Sequence, residues 1–144
     1  ANMEVSTTVA MSCTISAGAM TFLSYDPTAT VDNDANASIT STCTAGGAAV
    51  ITMDEGGRAQ SGSSDAIPLR AMWNGSEGEG AEDLLYHVYS DSAGGTVWGN
   101  TSDTGKSITA DGTVQAFTAF GRIPKNQTVS PGIFSDSVSV TLTY

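Results

Sequence analysis

Very few side chains in this sequence are suited to acid–base, nucleophilic or metal chemistry. His87 is the one histidine among the 144 residues, and it lies in a run of aromatic and branched residues typical of a β-strand. Triad catalysis requires a histidine beside a nucleophile and a carboxylate, and the sequence has no Gly-x-Ser-x-Gly nucleophile elbow. A three-histidine zinc site cannot be built from one histidine. We therefore interpret His87 as a structural strand residue and expect neither an enzyme nor a cofactor.

Two short motifs resemble ligand loops without meeting their requirements. The acidic and amide residues of 32–36 have the order found at the start of a calcium loop, but Ala37 replaces the required glycine and Cys43 replaces the closing glutamate. Residues 105–107 read Gly-Lys-Ser, like the end of a phosphate loop, but the preceding glycine, Gly99, is one residue too far away. We interpret 32–36 as a polar loop between strands and the Gly-Lys-Ser match as chance.

The two tryptophans, Trp73 and Trp98, are the residues that could bind a sugar by stacking. Tryptophans in all-β domains are more often packed in the core or beneath loops. A glycan-binding adhesin module is therefore kept as an alternative function.

The two cysteines, Cys13 and Cys43, are too few for a four-cysteine metal site and are most simply explained by one disulfide. The bond would close a loop of about 30 residues and stabilise the fold by roughly 2–4 kcal/mol. The alternative is a pair of buried free thiols. A disulfide predicts a location in the periplasm, on the cell surface or in the medium.

Composition narrows the class of protein further. Charged residues make up 14% of the chain and Ser and Thr together number 37, which is typical of extracellular all-β proteins and not of helical bundles. Five basic residues against fifteen acidic ones leave no surface suited to nucleic acid or to an anionic membrane. No stretch approaches 18 consecutive apolar residues, so we expect no membrane insertion. The polar start at Ala1 is what a mature secreted protein would have after signal cleavage.

The sequence predicts that β-strands position the histidine, tryptophan and cysteine residues named above. Six strands are predicted from alternating or branched runs bounded by turn residues: 3–11, 37–44, Ala48–Met53, 84–90, 113–122 and 135–144. Between them, 54–66, 74–83 and 99–112 are predicted to be loops. Several short strands with regular turn signals favour one β-sandwich domain.

Strong alternation at both ends of the chain is the unusual feature. One face of the N-terminal run consists of Met3, Val5, Thr7, Val9 and Met11. One face of the C-terminal run consists of Val138, Val140, Leu142 and Tyr144. A sandwich whose last strand runs to the final residue leaves the edge of that strand open, and an exposed apolar edge invites pairing with another chain.

Several segments spread over nearly the whole chain have an order and spacing that together are specific, although none is decisive alone. They are Cys13-Thr14-Ile15-Ser16, Tyr25-Asp26-Pro27, 40–44, Arg70-Ala71-Met72, 86–90 with Trp98-Gly99, Phe120-Gly121-Arg122-Ile123-Pro124 and 132–144. In these segments the chain resembles the spore coat protein U family, which includes the archaic, Csu-type chaperone–usher pilin subunits.

The resemblance implies an all-β fold, an incomplete immunoglobulin-like β-sandwich completed by a donated N-terminal strand. Residues 1–12 would be the donor extension and 13–144 the pilin domain. The donor residues would be Met3, Val5, Thr7, Val9 and Met11. The acceptor groove would be lined by Val138, Val140, Leu142 and Tyr144. Thr7 departs from the pattern, because it is smaller and more polar than the apolar residues that share its face.

The resemblance also implies partners and a location. The partners would be identical or related pilin subunits, together with a periplasmic chaperone and an outer-membrane usher during assembly. The protein would be a structural subunit of an extracellular, adhesive pilus that supports surface attachment and biofilm formation.

One alternative from the residues alone stays open beside this interpretation. Residues 3–11 could be the first strand of their own domain. The protein would then be a self-complemented, monomeric β-sandwich that is secreted or associated with a spore coat.

Overall fold

The computed structural model describes all residues, 1–144, and shows an all-β protein. Its eight strands are β1 (Cys13–Ala17), β2 (Asn33–Cys43), β3 (Ala48–Met53), β4 (Arg70–Trp73), β5 (Asp83–Tyr89), β6 (Lys106–Thr109), β7 (Val114–Ile123) and β8 (Val140–Thr143). The chain contains no helix with the length and hydropathy needed to cross a membrane.

The strands form two antiparallel sheets. The larger sheet has the order β1-β2-β7-β5-β4, and the smaller one has the order β6-β3-β8. Strands β1 and β8 are both edge strands, and they lie beside one another where the two sheets meet. Because the smaller sheet has three strands and the larger has five, the smaller sheet cannot cover the whole inner face of its partner.

Apolar residues from both sheets fill the space between them. Ile39 on β2, Ile51 on β3 and Ile123 on β7 are each at most 2% exposed. Trp98, which lies between β5 and β6, is fully buried, and its indole N–H donates to the carbonyl of Ile51 at 2.8 Å. Trp98 is therefore a core residue and cannot stack on a sugar.

The predicted disulfide between Cys13 and Cys43 is confirmed. The two residues lie directly opposite one another on β1 and β2. The bond ties β1, an edge strand with one neighbour, to β2, an interior strand of the larger sheet. The ladder continues past it, because Thr44 donates its N–H to the carbonyl of Ser12 at 3.0 Å.

Three observed strands, β1, β4 and β6, are not among those predicted. Each has only four or five residues, too few for a recognisable alternation. Strand β6 lies inside 99–112, so the prediction of a loop there is wrong at Lys106–Thr109. It forms a strand because it pairs with β3, where Ile108 lies opposite Ala49.

Strand β2 begins at Asn33, so the interpretation of 32–36 as a loop is also wrong over most of its length. Asp34 lies opposite Arg122 on β7. Its carboxylate accepts hydrogen bonds of 2.7 and 2.9 Å from the guanidinium, and this hydrogen bonding holds the pKa of Asp34 below its usual value. The cross-strand ion pair provides a partner for an acidic side chain in a strand.

The two terminal runs differ from the prediction in different ways. Residues 3–11 form no strand, because no backbone within the chain pairs with them. The predicted strand 135–144 is divided into an isolated bridge between Ser135 and Trp73 and the shorter strand β8. A β-strand depends on a partner for its hydrogen bonds, and alternation in the sequence does not supply that partner.

Candidate functional site

An open apolar groove of about 500 Å³ lies along the uncovered part of the larger sheet. Its floor is the inner face of that sheet and includes Ile39, Val88 and Ala119. One wall is formed by 17–22, which follows β1, and the other by 134–140, which leads into β8. Fourteen of the eighteen lining residues are hydrophobic, so the groove exposes the kind of surface that marks an interaction site.

The first wall packs on β7 at a glycine. Met20 and Phe22 both contact Gly121, where a β-carbon would overlap the Met20 sulfur and come within 2.8 Å of the Phe22 ring. Gly18 extends the pairing of β1 by donating its N–H to the carbonyl of Ser38 at 2.8 Å. The wall is thus a continuation of the β1 edge, held in place by close packing against Gly121.

The second wall alternates between inward and outward side chains. The half-buried inward positions are Phe134, Asp136, Val138, Val140 and Leu142. Of the residues predicted to line an acceptor groove, Val138 and Val140 line this groove. Leu142 packs against the core outside the groove lining, and Tyr144 is 60% exposed.

The backbone of the second wall has one side available for a further strand. Ser139 accepts a hydrogen bond of 3.1 Å from the N–H of Asp54, so its backbone groups are directed toward β3. Successive residues of a strand direct their N–H and C=O groups to opposite sides. The groups of Val138 and Val140 therefore point away from β3, as expected of an edge that can template another strand.

Asp136 is the one charged residue in the groove lining. Its carboxylate accepts hydrogen bonds from the phenol of Tyr86 at 2.5 Å and from the N–H of Gly57 at 2.8 Å. A β-carbon on Gly56, whose φ is 76°, would overlap this carboxylate. Burial, followed by the hydrogen bond to Asp136, raises the pKa of Tyr86 far above its usual value, so the phenol remains protonated.

Arg70 brings a positive charge into the core near this carboxylate. It is 1% exposed, and its guanidinium donates to the carbonyls of Asp54, Met53 and Trp98 at 2.8, 3.0 and 2.8 Å. Its Nη1 atom has no hydrogen-bond partner. Burial lowers the pKa of Arg70, and surrounding groups that include Asp136 oppose this shift. Arg70 therefore ties β4 to the backbone of Met53, Asp54 and Trp98 through these hydrogen bonds.

The N-terminal segment extends away from the domain. The side chains of Met3, Val5 and Val9 are 86%, 82% and 80% exposed, and Thr7 is exposed as well. The apolar face recognised in the sequence is thus present but uncovered. An exposed apolar row of this kind indicates a site of interaction.

Met11 differs from the other residues of its face, because it packs against its own domain. It is half-buried against the core, and its side chain occupies the space that a β-carbon of Gly47 would need. The next residue, Ser12, donates its N–H to the Thr44 hydroxyl at 3.1 Å. The chain is therefore anchored from Met11 onward, and 1–10 form its unanchored part.

The remaining candidates from the sequence lie apart from the groove. His87 is a half-buried residue of β5, and burial lowers its pKa, with a smaller effect from the charge of Arg70. Trp73 donates its indole N–H to the carbonyl of Ser76 at 2.7 Å. The guanidinium of Arg58 lies 4.9 Å from the Trp73 ring centre, so this tryptophan is engaged within its own chain.

The sequence patterns do not identify the first wall or the ends of the groove. Met20 and Phe22 are separated by one residue, and this spacing is the one local signal of a packed edge. Met53, Met72 and Phe134 also line the groove, but they come from distant parts of the chain. Only the folding of β3, β4 and the C-terminal segment brings them together.

The chain is similar to known proteins in sequence. Residues 1–141 match the model of the Spore Coat Protein U domain. Protein U of Myxococcus xanthus is 33% identical over 153 aligned positions, which cover 100% of this chain and 84% of that protein.

The chain is also similar in fold to a solved structure. That structure is the CsuC–CsuE chaperone–tip adhesion subunit pre-assembly complex from the archaic chaperone–usher Csu pili of Acinetobacter baumannii. One chain of the complex matches with a TM-score of 0.66 at 19% identity, over 95% of this chain and 40% of that chain. This chain therefore spans less than half the length of that structural relative. The likeness confirms the predicted all-β fold of an incomplete immunoglobulin-like sandwich.

Proposed function

Because the chain belongs to the spore coat protein U family, whose members are structural and not enzymes, we propose that it is a pilus subunit that polymerises by donor-strand complementation. Each subunit inserts its N-terminal segment into the groove of one neighbour and accepts the segment of another in its own groove. The contact joins two different surfaces, so it propagates a filament and does not close a dimer.

One observation supports this proposal above all others. The same chain has an exposed apolar segment with the alternation of a strand and an open apolar groove with an unpaired edge, and nothing else in the chain covers either. The residues of the apolar face of the segment, like the half-buried residues of the second wall, recur at every second position, which is the repeat of a β-strand. Inserting the segment of one copy into the groove of the next would cover both surfaces at once.

Burial of the exposed residues provides the free energy of association. Complete burial of Met3, Val5 and Val9 contributes on the order of 1.5–3 kcal/mol for each side chain. Backbone hydrogen bonds along the free side of 134–140 would add affinity that does not depend on side-chain identity. Several buried side chains together with such a ladder make a contact that dissociates slowly, as a filament requires.

The position of the segment disfavours insertion into the groove of its own subunit. The segment leaves the domain at the Cys13 end of β1, whereas the first wall of the groove begins at the opposite end, at Ala17. To reach its own groove, the chain would have to reverse direction before β1. Residues 3–12 contain no Gly, Pro, Asn or Asp, their Ser and Thr residues favour turns more weakly, and Met11 is already packed.

We assign assembly partners and a location on the same basis. The structural relative is part of a chaperone–subunit complex, which supports a periplasmic chaperone as the partner that covers the groove before assembly. An outer-membrane usher would then add subunits to a filament outside the cell. There the filament would serve surface attachment and biofilm formation. The disulfide is compatible with passage through an oxidising periplasm.

Deleting 1–10 tests the proposal. The truncated chain keeps Met11 and the whole domain, so it should fold but should be unable to form filaments visible by electron microscopy. A synthetic peptide of 1–10 should bind the truncated chain and raise its thermal unfolding midpoint, because it fills the groove.

A matched control is Glu4→Gln in the full chain, which changes an outward-facing residue of the same segment and should leave filaments intact. The proposal is wrong if the truncated chain builds normal filaments. It is also wrong if the full-length chain, free of chaperone, refolds to a stable monomer whose groove does not bind the peptide.

A further inference from the structure

The following inference rests on the proposed function and concerns how the inserted segment is aligned. Met11 packs on Gly47 of its own domain, so it is not available to a neighbour. The remaining residues of this face of the segment are Met3, Val5, Thr7 and Val9, all of which are exposed. Three of these four are apolar, and the third along the chain carries a hydroxyl.

The groove offers the same number of inward-facing positions along its second wall. They are Phe134, Asp136, Val138 and Val140. Three of these four are apolar as well, and the second along the chain carries a carboxylate. Leu142, the next inward-facing residue, does not line the groove.

Superposing the two rows in antiparallel orientation brings their polar positions together. Every strand pair in this fold is antiparallel. If all four positions are matched in this orientation, Met3 lies opposite Val140 and Thr7 lies opposite Asp136. In the parallel orientation the same match would place Val5 against Asp136.

We propose that Thr7 of one subunit lies opposite Asp136 of the next, where its hydroxyl donates a hydrogen bond to the carboxylate and fixes the register of the inserted strand. Thr7 is then a specificity-determining residue for subunit docking. This role accounts for a small polar side chain in a row of apolar ones.

The chemistry of Asp136 favours such a partner. A carboxylate can accept about four hydrogen bonds, and this one accepts two, from Tyr86 and Gly57. While the groove is open, water can satisfy the remaining capacity. An inserted strand excludes that water, and a buried charge without enough hydrogen bonds is unfavourable. A threonine hydroxyl at the opposite position restores a donor.

Registers displaced by two residues lack this compensation. They keep the inward face of the segment inward, so the apolar pattern alone does not exclude them. They place the methyl groups of Val5 or Val9 against Asp136, however, and leave the Thr7 hydroxyl among apolar side chains. The polar pair therefore selects one register among several that the apolar residues permit.

Disulfide trapping tests the register. Directly opposite residues in an antiparallel pair have Cα atoms about 4.5–5.5 Å apart, within the range for a disulfide, whereas diagonal neighbours are too far apart. A Met3→Cys/Val140→Cys double variant should give a ladder of covalent oligomers on a non-reducing gel. The matched variants Met3→Cys/Val138→Cys and Met3→Cys/Leu142→Cys should give no such ladder.

The trapping results separate this inference from the proposed function. A ladder from either displaced pair, or filaments without a ladder from Met3→Cys/Val140→Cys, overturns the register. A full-length chain that forms no filament under any condition, even with chaperone and usher, contradicts the proposed function itself.

The role of the hydroxyl needs a separate measurement. The substitution Thr7→Val should accelerate the dissociation of assembled subunits about tenfold, because a hydrogen bond to a charged group is lost, whereas Thr7→Ser should dissociate as the unsubstituted chain does. The outward-facing Thr8→Val is the control and should have no effect. Filaments of Thr7→Val that dissociate as slowly as the Thr8→Val control would overturn the assignment.

Discussion

The phenol of Tyr86 on β5 lies 2.5 Å from the carboxylate of Asp136 and donates a hydrogen bond to it. Tyr86 is a core residue of the larger sheet, whereas Asp136 lies on the segment that crosses toward the smaller sheet. The hydrogen bond therefore fixes the second wall of the groove to the core. It also presents a charged group, already oriented, to whatever occupies the groove.

Removing this hydrogen bond should lower the stability of the domain. The substitution Tyr86→Phe keeps the buried ring and deletes the hydroxyl, so we expect a loss of about 1.5–3 kcal/mol in the free energy of unfolding. Urea denaturation followed by tryptophan fluorescence would measure it. Tyr144→Phe is the matched control, because Tyr144 is 60% exposed. Equal stabilities for the two variants would contradict the role assigned to Tyr86.

Removing the disulfide should also destabilise the domain. A Cys13→Ser/Cys43→Ser variant should lose about 2–4 kcal/mol, since the closed loop spans 30 residues and the bond restricts the unfolded chain. Thermal unfolding of the unsubstituted protein with and without a reducing agent gives an independent measurement. An unfolding midpoint that does not respond to the reducing agent would contradict this prediction.

Adding a methyl group at Gly121 should disturb the first wall of the groove. In Gly121→Ala the new β-carbon would displace Met20 and Phe22, and overpacking of this kind costs about 1–3 kcal/mol. We also expect the substituted chain to bind the 1–10 peptide more weakly, as isothermal titration would show. Gly132→Ala is the control, because a β-carbon there meets no atom closer than 3.9 Å. Peptide affinity equal to that of the control would show that the wall does not depend on Gly121.

Acid should destabilise the protein through its hydrogen-bonded aspartates. The pKa values of Asp26, Asp34, Asp91 and Asp111 all lie below the usual 3.8, because hydrogen bonds favour the charged forms. Since the folded state has the lower pKa, the stabilisation is complete above about pH 4–5 and is lost as the pH falls through the folded-state values. The thermal unfolding midpoint should therefore decrease as the pH is lowered from about 4 to about 2.

Asp34→Asn provides a check on this acid effect. The variant lacks the carboxylate that pairs with Arg122, so its unfolding midpoint should depend less steeply on pH over the same range. Because the pair is partly exposed, the difference at neutral pH should be small, no more than about 1 kcal/mol. If the unfolding midpoint of the unsubstituted protein stays constant or rises on acidification, the hydrogen-bonded aspartates do not stabilise the folded state as predicted.

Much of the fold and part of the candidate site could be predicted from local sequence patterns. The alternation over 135–144 identified the inward positions Val138 and Val140, and the pair of cysteines indicated the disulfide. Short strands such as β6 were missed because four residues contain too little alternation to be recognised. The strand character of Asn33 and Asp34 was missed because it depends on Arg122, which lies 88 residues away from Asp34.

The sequence alone indicated an all-β chain with two cysteines suited to one disulfide and with one apolar face at each end, because alternation and cysteine content are local properties. Only the tertiary structure decided that Met11 packs against its own domain while Met3, Val5 and Val9 stay exposed. It also decided that the groove ends before Leu142. Those facts depend on which distant segments pair and which edges remain without a partner. A strand's pattern specifies that it has a face to bury, but the surface that buries this face is set by the rest of the fold.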